Sequence, residues 1–436
     1  MRVDMQPVRA ENVVSFAQAE KCFSTMKILH VTQGYWPAIG GTEILMQRIS
    51  EELHHQFGDD VTVFTTNCYS GEAFFAPHLP KMPVGEELIN GVRVRRFAVN
   101  SQISWAVRKI QGLAYRLHLP GNQYLRLWAG GPFITGLRTA IEQAEYDVAA
   151  ASSFPLMHMF AAVEGAHRSG RPCVLYGGIH PQDLWGFDRP MIYDLIRKTD
   201  AYIAYTSYEA DYLVQRGVPA SKIAVVGAGV DPGPFASIDS STARQQMGLP
   251  ADVPLVGFIG QIGGHKGVDA LLRAIPLVWQ SVPDAHFLIA GARTLFCDEL
   301  ERTLARWTAQ QQDRVKLYYN FKNEEKAQLF AALDVFAYPS GYESFGIAFL
   351  EAWAARKPVI GCWRGAVPWV VSAGHDGLLT HFQDENSLAG AISLLLQNPS
   401  LRAAMGEAGY IKATQRYSWP EIGRRFRAVY QTVVKT

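Results

Sequence analysis

The 436-residue chain has little cysteine, no excess of either charge and no long apolar run. The five cysteines are Cys22, Cys68, Cys173, Cys297 and Cys362, scattered, odd in number and never in a CxxC pair. That argues against a disulfide scaffold and a zinc ribbon and fits a reducing compartment. Lys plus Arg is 41 and Asp plus Glu is 40, a formal net charge of +1, so no nucleic-acid partner is expected. The most apolar uncharged stretch, Val148 to Val163, is short for a bilayer span and is split by Ser152, Ser153 and Pro155. Residues 1–25 lack the apolar core of a signal peptide, because Arg2, Asp4, Arg9, Glu11, Glu20 and Lys21 interrupt them. They read as a mobile N-terminal extension, with Met26 a sensible start, and a cytoplasmic location is expected.

Against these absences stands an ordinary globular balance, 48% hydrophobic and 19% charged, long enough for two or three domains. Strand-like and helix-like segments alternate. Lys27 to Thr32 is a short β-branched run ending in a Gly-containing loop. A helix is expected from Glu43 to Phe57, with Leu45, Ile49, Leu53 and Phe57 on one stripe and Gly58 as its stop. Val61 to Thr66 is the next strand, and further strands are expected at Val92 to Val99, Asp147 to Ser152, Pro172 to Tyr176, Ala201 to Thr206 and Lys222 to Val226. This is βαβ grammar, hence a parallel sheet. Pro and Gly clustering marks residues 233–254 as a linker. The grammar then restarts, with strands at Val256 to Ile259, Ala285 to Ala290, Val315 to Tyr319, Val335 to Tyr338 and Pro358 to Cys362. Two doubly wound α/β domains in series, residues 26–232 and 255–416, would face each other across a cleft with ligands at the strands' carboxyl ends. Residues 417–436 carry an amphipathic terminal helix.

Four segments carry chemistry. In Tyr338-Pro339-Ser340-Gly341-Tyr342-Glu343-Ser344-Phe345-Gly346-Ile347, a strand ends, a turn follows and a helix begins near Phe345. The unpaired first amides of such a helix suit an anion such as diphosphate, and Gly346 permits close approach. Glu343 in the loop and Glu351 in the helix are eight residues apart, a rise of about 12 Å if helical. That spacing suits two anchors on a long ligand better than a glycosidase carboxylate pair; a capped helix with one solvated and one structural glutamate explains it equally. In Phe258-Ile259-Gly260-Gln261-Ile262-Gly263-Gly264-His265-Lys266-Gly267, Lys266 opens the next helix against its macrodipole, a placement that a ligand phosphate would explain and a plain surface turn would also allow. The spacing is not GxGxxG. Gly40-Gly41-Thr42-Glu43 repeats the device after the first strand, or is an ordinary capped start. His180, in Gly177-Gly178-Ile179-His180-Pro181 beyond a strand, is a candidate acid, base or hydrogen-bond donor, or a structural histidine.

Together with Gly229-Val230-Asp231, Asp376-Gly377-Leu378-Leu379 and Tyr417-Ser418-Trp419, these residues resemble a family-4 retaining glycosyltransferase (glycosyl transferases group 1) with the two-domain GT-B architecture, over nearly the whole chain from Met26. The resemblance implies an α/β GT-B fold, with two Rossmann-like domains facing an interdomain cleft. It implies transfer of a sugar from a nucleotide-diphosphate-sugar donor to a glycan or lipid-linked acceptor, with no metal cofactor. Glu351 would grip the donor ribose, and Glu343 the sugar hydroxyls. Ser344, Phe345, Gly346 and Ile347 would face the sugar and diphosphate. Lys266 would neutralise the departing phosphate, Gly40 and Gly41 would approach it from the other domain, and His180 would bond the donor sugar. The terminal helix would cross back to the first domain. This chain departs from the pattern in having Gln261 where the family often has Arg, Gly227-Ala228 where Pro-Asn is usual, and Trp369 where a glutamate commonly follows Pro368. Other readings of such a cleft are a GT-B-like epimerase or phosphorylase, and a catalytically silent sugar-nucleotide-binding or scaffold protein.

No Asp or Glu occurs from Leu88 to Ile141, which holds Arg93, Arg95, Arg96, Arg108, Lys109, Arg116, Arg126 and Arg138 among Trp105, Tyr115, Tyr124 and Trp128. A basic, aromatic segment of this kind either lies on an anionic membrane surface as a peripheral attachment or is a variable loop region whose arginines cover apolar side chains or meet a soluble anion.

Overall fold

A computed structural model describes residues 25–38, 40–117 and 121–434. The expected N-terminal extension lies outside these, Thr25 excepted. The first lobe is an eight-stranded sheet. Its strands are β1 (Lys27–Val31), β2 (Asp60–Thr66), β3 (Gly85–Ile89), β4 (Val92–Phe97), β5 (Val148–Ser152), β6 (Cys173–Tyr176), β7 (Ala201–Ala204) and β8 (Ile223–Val225). The order is β3-β4-β2-β1-β5-β6-β7-β8, with only β3 antiparallel to its neighbour. The second lobe holds β9 (Leu255–Ile259), β10 (His286–Gly291), β11 (Val315–Tyr319), β12 (Val335–Ala337), β13 (Val359–Cys362) and β14 (Gly377–Thr380) in the order β11-β10-β9-β12-β13-β14, all parallel. Both orders are doubly wound, reversing between β1 and β5 and between β9 and β12. The central strands β5, β6, β7 and β9 are buried along their whole length, as helices on both faces of a parallel sheet require.

The first helix, Gly41–Phe57, buries Leu45, Ile49 and Leu53 against the sheet. Gly58 ends it at φ 69°, its N–H bonded to the His54 carbonyl. Two strands escape the pattern reading. β3 is an exposed edge carrying Glu86 and Glu87, joined to β4 by Asn90-Gly91, both at positive φ; that dipeptide is the hairpin signal that marks it. β14 is too short to show an alternation.

The stretch read as a linker holds two short helices, Pro232–Ala236 and Ser240–Gln246. Asp231 and Asp239 cap these helices by accepting the N–H groups of Gly233 and Thr242, and Pro232 stands at the first helical position, where proline is favoured. Arg244, buried, donates to Asp334 (2.8 Å) and to the Ala332 and Val253 carbonyls, fastening the segment to the second lobe. The helix expected to open at Lys266 begins at Val268, Lys266 ending a short 3₁₀ turn. The helix expected near Phe345 begins at Ile347.

The last helix, Trp419–Val434, returns to the first lobe. Phe426 meets Tyr176 edge-on at 4.7 Å, and Tyr430 Oη lies 3.1 Å from His30 Nε2. The chain crosses beside residues 227–231, where the Val230 N–H donates to the Tyr417 carbonyl. Arg427 makes a two-pronged ion pair with Asp59 (2.8 and 2.9 Å), both buried, and Asp59 also accepts the Met26 N–H. Removing one member leaves a buried charge unanswered, so Asp59→Ala is expected to cost about 3–5 kcal/mol in urea unfolding. A loss below about 1 kcal/mol would show that the last helix is held by apolar packing alone.

Candidate active site

The strand order places the loops after β9 and β12 side by side. They are knitted together by the Gly341 N–H donating to the His265 carbonyl (3.1 Å) and by Lys266 Nζ, which donates to the Tyr342 carbonyl (3.2 Å) and pairs with Glu343 Oε1 at 2.6 Å. Gly267, at φ 79°, lies so close to Pro339 that a Cβ would come within 2.3 Å of its carbonyl oxygen. The next helix, Ile347–Ala354, is entered through Gly346 at φ 95°, where a Cβ would fall 2.6 Å from the Phe349 ring. Its first-turn amides have no partner inside the helix. Glu351, within that helix, pairs with Lys326 at 2.8 Å.

Lys266, Lys326, Glu343 and Glu351 line one cavity of about 870 Å³ between the lobes. Gly40, Gly41 and Thr42 contribute to its wall from the first lobe. Gln261, Lys266, Glu343, Ser344, Phe345, Gly346, Ile347 and Glu351 contribute from the second. Every residue assigned to the donor from the sequence, His180 excepted, is therefore in this wall. His180 is not in it. It stands past the end of β6, its ring 5.2 Å from Phe187 and within electrostatic range of Lys266, Glu343 and Asp183. Burial holds its pKa below the ordinary histidine value, with Glu343 opposing and Lys266 reinforcing that shift. It is thus a neutral ring at physiological pH, able to donate from one nitrogen and accept at the other.

The backbone that carries His180 is set by Glu209, a buried carboxylate on the helix Ser207–Gln215. It accepts the Ile179 N–H (3.1 Å), the Tyr205 N–H (2.8 Å) and the Tyr202 hydroxyl (2.5 Å). A Cβ at Gly177 would come 2.9 Å from this carboxylate, which explains the glycine.

The sequence reading missed Lys326, Arg48 and Tyr205, all in the cavity wall. Lys326 carries the same signal that singled out Lys266, a lysine at a helix start against the macrodipole. The departures from the family pattern have local causes. Gly227 sits at φ 103°, closed to proline, where a Cβ would press on Tyr417 and Phe345. Trp369 packs on Tyr208 of the other lobe, with ring centres 5.0 Å apart. Among the described residues, no group of three His, Cys, Asp or Glu side chains could hold a metal ion, and no helix is long and apolar enough to cross a membrane.

The basic segment is less uniform than its composition. Arg93, Arg95 and Arg96 pair with Asp60, Glu86 and Glu87, and Arg138 with Glu142 and Glu164, carboxylates supplied from outside the window. Among the described residues, Arg108 and Lys109 of the helix Ser101–Arg116 meet no carboxylate; they lie over Phe75 (3.8 Å) and Trp105 (3.7 Å), with Trp105, Ile110 and Leu113 exposed beside them.

Two Rossmann-like lobes, a cleft between them lined by paired charges and a terminal helix returning across the gap define a protein of the GT-B class. The description Glycosyltransferase Family 4 matches residues 39–233, and Glycosyl transferases group 1 matches residues 239–412. The chain belongs to the family-4 glycosyltransferases. It is 33% identical over 233 residues to the D-inositol 3-phosphate glycosyltransferase of Stackebrandtia nassauensis, covering 52% of each chain. It is 31% identical over 201 residues to the GDP-mannose-dependent monoacylated alpha-(1-6)-phosphatidylinositol monomannoside mannosyltransferase of Corynebacterium glutamicum, covering 44% of this chain and 51% of that one. The chain thus spans about half the length of these curated relatives. In fold it is similar to Anabaena HepE in complex with UDP and glucose (TM-score 0.68, 20% identity, 93% of this chain and 100% of that one). It is also similar to sucrose-phosphate synthase from Thermosynechococcus elongatus (TM-score 0.69, 19% identity, 94% and 99%).

Burial pushes the Glu209 carboxyl up to about 7, against its hydrogen bonds. A folded-state pKa above the unfolded value stabilises the fold at low pH, and that contribution is lost as pH rises through about 7. The stability advantage of the wild type over Glu209→Gln is therefore expected to shrink between about pH 5 and pH 8 in urea unfolding. A pH-independent difference would contradict it.

Proposed function

We propose that the protein is a retaining glycosyltransferase that moves a sugar from a nucleotide-diphosphate-sugar donor to a hydroxyl of a glycan or lipid-linked acceptor. One observation carries the reading. The glycine loop of the first lobe and the Lys266, Glu343 and Glu351 loops of the second line a single cavity large enough for such a donor. In this reading residues 26–232 present the acceptor and residues 255–416 hold the donor. Glu351 and Lys326 clasp the ribose end, and Glu343 takes sugar hydroxyls. Lys266 and the amides of Ser344 to Ile347 hold the diphosphate, with Gly40 and Gly41 closing from the other side.

The chemistry is front-face displacement. The bond from the anomeric carbon to the diphosphate oxygen breaks as the acceptor oxygen approaches from the same face, and the leaving oxygen takes the acceptor proton. Lys266 and the helix amides stabilise the charge that develops there, an arrangement already in place before reaction. Neutral His180 donates to the donor sugar from the acceptor side. No metal is needed for these roles. With Gln261 in the place of a second cation, the leaving group depends on Lys266, so this residue is the sharpest test. Glu343 and Glu351 are compensated by Lys266 and Lys326 within the cavity.

Wild-type protein screened against UDP-, GDP-, ADP- and CMP-sugars is expected to be stabilised by one class of donor and to release its nucleoside diphosphate slowly. Lys266→Ala and Glu343→Ala should lower that release at least about a hundredfold while still unfolding cooperatively. Stabilisation without release in the wild type would make the protein a binder and end the enzymatic reading.

We further infer that the work is done at the inner face of a membrane, with the helix Ser101–Arg116 as the peripheral contact. Its exposed Trp105, Ile110 and Leu113 beside Arg108 and Lys109 support this. The protein should co-sediment with vesicles containing phosphatidylglycerol and less with phosphatidylcholine alone, and Leu113→Glu should abolish the difference. Equal sedimentation with both lipids would contradict the inference.

A further inference from the structure

Near the segment that carries His180, two arginines have buried guanidinium nitrogens with no hydrogen-bond partner among the described residues. Arg189, the residue before the helix Pro190–Lys198, is only 5% exposed. Its Nε and Nη1 are buried and meet no acceptor among the described residues. Arg126, on the helix Asn122–Gly130, keeps Nε and Nη2 buried and equally unanswered. Its guanidinium is stacked over Trp185, 3.9 Å from the ring centre, and Trp185 in turn meets Tyr115 of the helix Ser101–Arg116. Neither arginine makes a salt bridge to a described residue.

The Met191 N–H donates to Gln123 Oε1 (3.3 Å), tying together the two helix starts beside these arginines; the charge of Arg126 adds to burial in lowering the Arg189 pKa, and Asp183 opposes the shift on both. One oxygen of Asp183 is already engaged by the Gly186 N–H at 2.7 Å. Asp183 is also felt by His180, which is coupled to Lys266 and Glu343. The Asp183 N–H donates to the His180 carbonyl (2.9 Å), and Trp185, under Arg126, follows on the same segment, so the pair neighbours the stretch of chain that carries the histidine.

A buried guanidinium without an acceptor is costly, and two side by side are costlier. Native structures retain such unanswered groups where something outside the chain answers them. Two planar forks in one place offer more donors than a carboxylate can accept, and they match the non-bridging oxygens of a phosphate. We propose that Arg126 and Arg189 seat a phosphate ester carried by the acceptor, so that the acceptor hydroxyl is presented on the His180 side of the cleft. The assignment rests on the transferase reading for the word acceptor, but the anion site itself is testable without it. The phosphate can belong to a soluble ester or to a lipid headgroup, since the site borders the exposed face of the helix Ser101–Arg116.

The test is calorimetric titration with glycerol 3-phosphate against glycerol, in parallel with vesicles of phosphatidylcholine with and without phosphatidic acid. The donor-induced melting shift is read on the same wild-type sample. The wild type should bind the phosphate probe in at least one arm. Arg189→Met and Arg126→Gln should weaken that binding about tenfold or more. Arg189→Lys, which keeps the charge without the fork, should recover part of it. Without ligand, Arg189→Met should melt no lower than the wild type, because it removes an unanswered buried charge; a merely structural arginine would show the opposite. Arg126→Gln, on a partly exposed side chain, decides the matter if the Arg189 variants do not fold. Binding only to glycerol 3-phosphate assigns a soluble ester, and binding only to phosphatidic acid vesicles assigns a lipid. Either supports the proposal. No phosphate binding in the wild type, or binding that both variants leave intact, overturns it. Phosphate binding that needs the arginines, with no donor-induced shift, would count against the transferase reading while leaving the anion site standing.

Discussion

The adjacency of β9 and β12 is the constraint on which the rest of the site depends. The doubly wound order makes these strands neighbours although some 75 residues separate them, and it sets their following loops against each other. Lys266 then reaches Glu343 and the Tyr342 carbonyl without a long or flexible connection. The pairing answers both charges in a region where neither would be tolerated alone. It also holds the entry to the helix Ile347–Ala354 in one place, so its free amides face the cavity as a fixed array. The first lobe repeats the topology, and the glycine loop after β1 comes to the same cavity from the opposite side.

Much of this was legible in the sequence because parallel strands buried on both faces write themselves as apolar runs. Runs such as Val148–Ser152 and Leu255–Ile259 need no other signal. The donor-side wall was legible for a different reason. Lys266 breaks a local rule, a positive charge where a helix start prefers a negative one, and Gly346 and Glu343 stand together at a strand-to-helix turn. Lys326 breaks the same rule and went unread because it stands 25 residues before the Glu351 it pairs with. The two short helices within residues 231–254 went unread because proline and glycine mark helix starts as well as linkers, and here Asp231, Pro232 and Asp239 start them. The partners of Arg93, Arg95, Arg96 and Arg138 were hidden because a composition window cannot see across a sheet or between helices.

The first lobe is where this chain is most itself. Its sheet supplies a generic frame, but the helices Ser101–Arg116 and Asn122–Gly130 place exposed aromatics, basic side chains and an unanswered arginine around the loop that bears His180. The second lobe pairs its cavity glutamates internally, Glu343 with Lys266 and Glu351 with Lys326.

The account's central claim is that one pyrophosphate-bearing molecule is held by both lobes at once. Amide hydrogen exchange with and without saturating UDP-glucose, and separately GDP-mannose, tests it most directly. The account predicts that one of these donors slows exchange together in the segment with Gly40 to Thr42 and in the segment with Ser344 to Glu351. Protection confined to one lobe, or falling outside both segments, would contradict it.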